Sequence, residues 1–121
     1  MNANYKKIKT FAAACKELGL DAKKLIAKWT KSGDTKDEIA YKQLKIFIKA
    51  INGEWKPNWN DGSWKYYPFF WVNAAGSGFS LSRYDRSGTC TGVGSRLCCE
   101  TSEQALHAAK YGAKMYKDFL L

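Results

Sequence analysis

The chain has 121 residues, of which 45% are hydrophobic and 26% charged, a composition typical of a globular domain and not of a disordered or fibrous protein. No apolar run approaches the roughly eighteen residues of a membrane helix, and the first residues contain no long apolar export segment. We therefore expect one domain over residues 1–121, located in the cytoplasm and not associated with a membrane.

The positive charge is concentrated in the first part of the chain. Residues 1–52 carry twelve Lys against five acidic residues, a net +7, and residues 53–121 carry eight Lys or Arg against six acidic residues, a net +2, which together give +9. A field of this sign attracts polyanions, which predicts nucleic acid, DNA or RNA, as the partner. The alternative is a lysine-rich solvated surface that only keeps the protein soluble.

Two short helices are predicted near the N-terminus. Thr10 is a typical N-cap for a helix over residues 11–18, which Gly19 can end in the left-handed conformation. Asp21 then caps a second helix that extends to about residue 28. Such a pair resembles a helix-turn-helix, whose second helix enters a DNA groove. The basic residues on or beside that helix are Lys23, Lys24, Lys28 and Lys31. The helix lacks Asn, Gln and Arg for base recognition, so a plain helical hairpin is the alternative.

The third predicted helix covers residues 36–51. Thr35 and Glu38 have the spacing of a capping box at its start, and Gly53 follows its end. Its apolar residues recur with helical spacing on one face, namely Ala40, Leu44, Phe47, Ile48 and Ile51. The other side carries Lys42, Lys45 and Lys49. We expect the apolar face to enter the core and the lysines to contact phosphate groups.

The second part of the chain has the pattern of a β-sheet followed by a helix. We expect strands at residues 67–73, 79–82 and 95–100, with turns at 74–78 and 85–88. A second capping box, Thr101 to Gln104, then begins one long C-terminal helix with a stripe of small residues that packs on the sheet. The predicted fold class is α+β, with N-terminal helices, a three-stranded antiparallel meander and a long C-terminal helix. In this division residues 1–52 form a basic helical part and residues 53–121 an aromatic part.

Aromatic residues are concentrated in residues 55–72, where they make up eight of eighteen positions. The last of them, from Phe69 onward, are expected in the core. Rings that stack on unpaired bases are usually interleaved with Lys or Arg, and the turn-rich connector before the first strand has this character. We therefore predict a nucleic-acid-binding surface that combines the helical lysines above with Trp55, Trp59, Trp64, Lys65, Arg83, Arg86 and Arg96, with further charge from Lys56. The alternative is that most of these rings are structural.

The sequence shows no catalytic site, so no enzymatic activity, cofactor or metal is expected. His107 is the only histidine, and the cysteines at 15, 90, 98 and 99 lack the spacing of a zinc knuckle. A zinc site from three cysteines and His107, or a nucleophile pair of His107 with Cys98 or Cys99, is the alternative. We expect these cysteines to be reduced thiols, and residues 91–96 to form a turn instead of an anion-binding nest.

Several segments of the chain resemble a family of small proteins encoded by bacteriophages and mobile elements of gut anaerobes. The similar segments are ACKELGLD, NGEWKPNWNDGSWKYYPFF, GVGSRLC and KMYKDFLL, and the resemblance covers nearly the whole chain. It implies a phage or prophage origin and a bacterial host cytoplasm, but no particular activity. The family commonly has an aromatic residue at Cys99 and Trp at Phe69, and both exchanges favour packing roles.

Two functions follow from these observations. The first is a small non-catalytic nucleic-acid-binding accessory protein. The alternative is a structural or interaction protein that binds a phage or host protein through an aromatic surface.

Overall fold

The fold is predominantly helical. A computed structural model describes residues 4–60, 62–72, 79–87 and 95–121. Its elements are α1 (Phe11–Glu17), α2 (Ala22–Lys31), α3 (Lys36–Asn52), β1 (Lys65–Val72), β2 (Phe79–Ser87), α4 (Ser102–Tyr111) and α5 (Ala113–Leu120), with short 3-10 helices at Tyr5–Lys7 and Ser95–Leu97. None of the helices in this part of the chain is both long and apolar enough to cross a membrane.

The predicted starts of the helices are confirmed, because capping is decided by neighbouring residues. Thr10 Oγ1 accepts from Ala13 N, and Asp21 Oδ1 accepts from Lys24 N. Gly19 has φ +72°, the left-handed conformation expected between α1 and α2. Both predicted capping boxes are present as well, at the starts of α3 and α4.

Helix α3 is the centre of the core. The five apolar residues of its predicted face are all buried, with exposures of 2% or less. Four of them, all except Ala40, pack in one cluster with residues from both parts of the chain, including Tyr5, Ile8, Leu97, Ala105 and Tyr116. Burial of this stripe is the main source of stabilisation for a helix whose other side carries lysines.

The predicted three-stranded meander is wrong, and the α+β class is corrected with it. The β-structure among the described residues is one antiparallel pair, β1 with β2, in which Lys65 lies opposite Ser87 and Val72 opposite Phe79. The strand β2 continues through Ser87, so residues 85–87 are not a turn. The predicted turn at 74–78 lies outside the described residues.

The expected third strand, residues 95–100, is a 3-10 turn followed by one isolated bridge. Cys99 and Tyr66 exchange two backbone hydrogen bonds of 3.0 and 2.6 Å, and this pairing is an isolated bridge among the described residues. The strand pairing does not include residues 95–97, because these residues form a 3-10 helix. In this conformation Leu97 is buried in the core. Burial of a long-range apolar contact therefore overrides the local strand pattern here.

The C-terminal helix is also not continuous, because it is interrupted at Gly112 between α4 and α5. A Cβ at Gly112 would lie 2.7 Å from Ala108 O and 3.1 Å from the Phe47 ring, so only glycine fits there. Because of this break, α4 and α5 pack mainly against different elements. As expected, α4 contacts both strands of the sheet. Helix α5 packs mainly against α3 and makes a smaller contact with the sheet, where the centroid of the Tyr116 ring lies 5.1 Å from that of the Phe70 ring.

Candidate nucleic-acid interface

A groove of about 600 Å³ is formed by the second half of α3, the connector after it and the segment around Cys98. We call it the tryptophan groove. Its lining consists of Lys45, Ile48, Lys49, Asn52, Gly53, Trp55, Lys56, Pro57, Trp59, Arg96 and Cys98. Four of these residues are basic, two are tryptophans and none is acidic. The groove thus combines a positive potential with aromatic surface.

One wall of the groove is a single stripe of α3. Lys45, Lys49 and Asn52 are four and three positions apart, which aligns them on one side of the helix. Lys45 and Lys49 are exposed, and Lys45 Nζ lies 5.3 Å from the centroid of the Tyr41 ring. The two lysines therefore lie one helical turn apart on the wall of the groove, and the Lys45 ammonium also contacts the Tyr41 ring outside the lining.

The connector supplies the aromatic part of the groove. Trp55 and Trp59 are both half-buried. Lys65 Nζ lies 4.9 Å from the centroid of the Trp59 ring, and the Lys65 residue itself is fully buried. This cation–π contact covers one face of Trp59 and holds the ring in a fixed orientation. The Lys65 charge therefore acts from beneath the groove and does not line it.

A buried hydrogen bond connects the two walls. Asn52 Nδ2 donates to the Cys98 carbonyl oxygen at 2.8 Å, joining the end of α3 to the segment that presents Arg96. Arg96 is exposed on the 3-10 helix just before Cys98. The walls of the groove, although 46 positions apart in the sequence, are therefore held together by a contact within the core.

The structure does not bring the other predicted lysines into this groove. Lys23, Lys24, Lys28 and Lys31 are exposed on α2, outside the lining. Lys42 forms an ion pair with Asp34, and its ammonium lies 5.7 Å from the centroid of the Trp29 ring. Its charge is therefore partly neutralised on another surface.

The remaining predicted residues lie on or near the strands. Trp64 is 50% exposed but does not belong to the groove lining. Arg83 and Arg86 lie on β2, with backbones opposite Phe69 and Tyr66. Of the fourteen predicted binding residues, five line the groove, namely Lys45, Lys49, Trp55, Trp59 and Arg96.

Five residues line the groove that were not predicted as binding residues, namely Ile48, Asn52, Gly53, Pro57 and Cys98. The helical spacing of Asn52 from Lys45 and Lys49 was a usable signal, because all three follow one stripe. The position of Cys98 had no such signal, because it depends on the long-range bond to Asn52.

The cysteines favour a packing role over a nucleophilic one. Burial raises the pKa of the Cys98 thiol to about 11, although the nearby Lys65 lowers it in part. Burial, with a smaller effect from Cys98, raises the pKa of the Cys99 thiol even more. Both side chains are therefore protonated thiols at neutral pH, whereas a nucleophile needs the thiolate. Cys15 is a third buried free thiol.

The zinc site considered from the sequence finds no support in the described part of the chain. No group of three His, Cys, Asp or Glu side chains there could hold a metal ion. Cys90 and the nest at residues 91–94 lie outside the described residues. His107 instead forms a hydrogen bond with the Ile8 carbonyl oxygen, which lies 2.6 Å from Nε2.

Comparison with known proteins adds no relative from which a function could be transferred. No family model, curated protein or solved structure matches the chain.

Proposed function

We propose that the protein binds nucleic acid through the tryptophan groove and acts as a non-catalytic accessory protein. The observation that carries this proposal is the lining itself, in which four basic side chains surround two tryptophans without any acidic residue. Phosphate groups need cations and unpaired bases need flat apolar surfaces, and this groove offers both within one volume of about 600 Å³. With the resemblance to phage-encoded proteins, the proposed setting is phage or mobile-element nucleic acid in a bacterial cytoplasm.

A single strand is the form that fits the groove best. The Trp59 ring is held by Lys65, is half-buried and lines the groove, so its groove-facing surface is the proposed stacking surface. A base in a duplex already stacks on its neighbours, whereas an unpaired base can stack on a side chain. The basic residues then follow the sugar-phosphate backbone along the rim.

The test is fluorescence anisotropy of labelled single- and double-stranded oligonucleotides at several salt concentrations. The test variant is Lys45→Gln/Lys49→Gln, which removes two charges from the groove. Its matched control is Lys23→Gln/Lys24→Gln, which removes two exposed charges from α2, outside the groove. Both variants have the same net charge, so a difference between them reports on position and not on charge.

We expect the wild-type protein to prefer single strands, with affinity that falls steeply with salt. Because each phosphate contact contributes about 0.7 to the log–log salt slope on single strands, the groove variant should lose about 1.4 of that slope. The control should keep it. Equal losses in the two variants would contradict the groove as the binding site, and a loss confined to the control would favour groove reading by α2.

A second candidate function is binding to a protein through an apolar groove at the C-terminus. This groove, of about 230 Å³, is lined by Tyr67, Pro68, Phe70, Leu97, Tyr116, Phe119 and Leu120. The Tyr116 hydroxyl is buried there without a hydrogen-bond partner among the described residues. An apolar side chain of a partner protein would fill this space. A carbonyl group next to that side chain would accept a hydrogen bond from the Tyr116 hydroxyl. Binding that is insensitive to salt and lost on Phe119→Ala would support this function.

A further inference from the structure

A second groove, separate from the tryptophan groove in its lining, lies between the N-terminal segment and α4. It has a volume of about 560 Å³, and we call it the histidine groove. Its lining consists of Tyr5, Lys6, Lys9, Glu103, Leu106, His107, Lys110 and Tyr111. None of these residues takes part in the function proposed above.

The protonation of His107 follows from one contact. His107 Nε2 lies 2.6 Å from the Ile8 carbonyl oxygen. Because a carbonyl oxygen can only accept, Nε2 carries the hydrogen and Nδ1 carries the lone pair of the neutral ring. Nδ1 makes no hydrogen bond with the described residues and is not among their buried unpartnered atoms. Nδ1 is therefore the nitrogen that titrates, and it is free to meet a ligand.

The ring of His107 is held in place by its neighbours. Its centroid is 5.1 Å from that of Tyr5, which meets it edge-on, and 4.7 Å from that of Tyr111. Together with the bond to Ile8, these contacts fix the direction of Nδ1. A fixed imidazole in a groove differs from a histidine that moves freely in solvent.

Three lysines line the groove together with His107. Lys9 Nζ and Lys110 Nζ lie 5.5 and 5.2 Å from the centroid of the Tyr111 ring, and Lys6 lines the same groove. The Tyr111 ring therefore holds two ammonium groups beside His107 instead of offering an open face for stacking. Glu103 is the acidic residue in the lining, and the three lysines outweigh its charge, so the groove is net positive.

We propose that the histidine groove binds a phosphate group, held by the ammonium groups of Lys6, Lys9 and Lys110 and by the Nδ1–H of protonated His107. A phosphate has several acceptor oxygens and a negative charge, which is single in a nucleic-acid backbone and approaches two in a phosphate monoester, so it can accept from several of these donors at once. This site does not depend on nucleic-acid binding by the tryptophan groove. The phosphate can belong to a small molecule or to a nucleic acid, and the two sources are distinguished below.

The proposal has a defined pH dependence. Without a bound anion, burial is the main cause that lowers the pKa of His107. The positive charges of Lys9, Lys110 and Lys6 lower this pKa further, and only the hydrogen bond to Ile8 raises it. A bound phosphate offsets the lysine charges and accepts from Nδ1, so it raises that pKa. Binding therefore takes up a proton. For a phosphate of constant charge, the affinity increases as the pH falls through the bound-state pKa of His107 and levels off below its pKa without phosphate.

His107 also provides its own reporter, because it is the only histidine in the chain. The experiment follows the single histidine Cε1–H resonance by NMR during pH titration, in phosphate and in chloride at equal ionic strength. Acetate serves as a monoanion control. We expect the titration midpoint to rise by about half a unit or more in phosphate. An unchanged midpoint, or an equal rise in acetate, would overturn the proposal.

Lysine variants test the geometry without disturbing the core, because these side chains are exposed. Lys9→Gln/Lys110→Gln should raise the midpoint in chloride, since two repelling charges are gone, and should abolish most of the further rise in phosphate. The control Lys23→Gln/Lys24→Gln should titrate like the wild type. A full phosphate response in the first variant would contradict the assignment.

The source of the phosphate is tested in the Lys45→Gln/Lys49→Gln background, where the tryptophan groove is weakened. Inorganic phosphate, a nucleoside monophosphate and a short oligonucleotide are compared by the same resonance. An equal or larger response to the small molecules than to the oligonucleotide supports a metabolite site, and a clearly larger response to the oligonucleotide supports a second backbone contact. If none of the three changes the titration, the proposal is overturned. The tryptophan groove is still tested separately, by its salt dependence.

Discussion

The ammonium nitrogen of Lys65 lies 4.9 Å from the centroid of the Trp59 ring, with the lysine fully buried at the start of β1. A buried charge costs free energy unless it is compensated, and a tryptophan face is the best aromatic partner for an ammonium group. The contact also joins the connector to the sheet, so the shape of the tryptophan groove depends on it.

A double-mutant cycle measures this contact. We expect Trp59→Leu and Lys65→Met to show a favourable coupling free energy of about 0.5–2 kcal/mol, the range for cation–π pairs. The readout is the free energy of unfolding of the wild type, both single variants and the double variant in urea. A coupling of zero would mean that the two groups are near each other without interacting.

Stacking on Trp59 can be separated from general loss of aromatic surface. If one base stacks on this ring in the groove, Trp59→Leu should weaken single-strand binding by about 1–3 kcal/mol. Trp64→Leu is the matched control, because Trp64 is 50% exposed and lies outside the groove lining. Equal affinity losses in the two variants, measured by anisotropy, would remove the specific role of Trp59.

Gln104 is expected to be important for stability. Its Nε2 donates to the Ile51 carbonyl oxygen at 3.2 Å, and its Oε1 accepts from Thr101 N at 3.1 Å, inside a fully buried environment. Gln104→Leu leaves both backbone groups without this partner, so the free energy of unfolding should fall by about 2–4 kcal/mol. Gln43→Leu, on a half-buried position of α3, is the control and should change it by less than about 1 kcal/mol.

The break at Gly112 predicts that a better helix former destabilises the protein. Gly112→Ala gains helix propensity of about 1 kcal/mol, but its Cβ would overlap Ala108 O and press on Phe47. We expect a net decrease in unfolding free energy of about 1 kcal/mol or more. Gly33→Asn is the control, because Gly33 has open space around it and Asn tolerates its positive φ. A Gly112→Ala variant as stable as the wild type would contradict the close packing.

Thiol labelling tests the packing role of the cysteines. In a Cys90→Ser variant we expect Cys15, Cys98 and Cys99 to react slowly with a thiol reagent at pH 8, because burial limits access and raises the thiol pKa, to about 11 for Cys98. All three should react rapidly in denaturant. Fast labelling of the native protein would show an accessible thiolate and would reopen the nucleophile interpretation.

The parts of the fold that depend on neighbouring residues were predictable from the sequence. The caps at Thr10 and Asp21, and the buried face of α3, follow from spacing over a few positions. The absence of the third strand was not predictable, because the 3-10 helix at residues 95–97 places Leu97 against core residues that are distant in the sequence. The helix break had a visible glycine, but the sequence could not show that Phe47, 65 positions away, packs closely against it.

The candidate site shows the same division. The basic and aromatic residue types in Lys45, Lys49 and Trp59 indicated the chemistry, and these residues do share one groove. The sequence could not show that Lys65 is buried beneath a ring, or that Lys42 is paired with Asp34. Charge counted along a chain does not reveal which charges a fold neutralises.

The Asn52–Cys98 hydrogen bond has a consequence for heat stability. Because it joins groove walls from distant parts of the chain, the tryptophan groove exists only in the folded state. A ligand that uses the groove stabilises only the native form and raises the melting temperature with its concentration. A polyanion attracted only by the net charge of +9 binds the unfolded chain as well, since that charge survives melting. The melting temperature therefore distinguishes a ligand that recognises the groove from one that recognises only the charge.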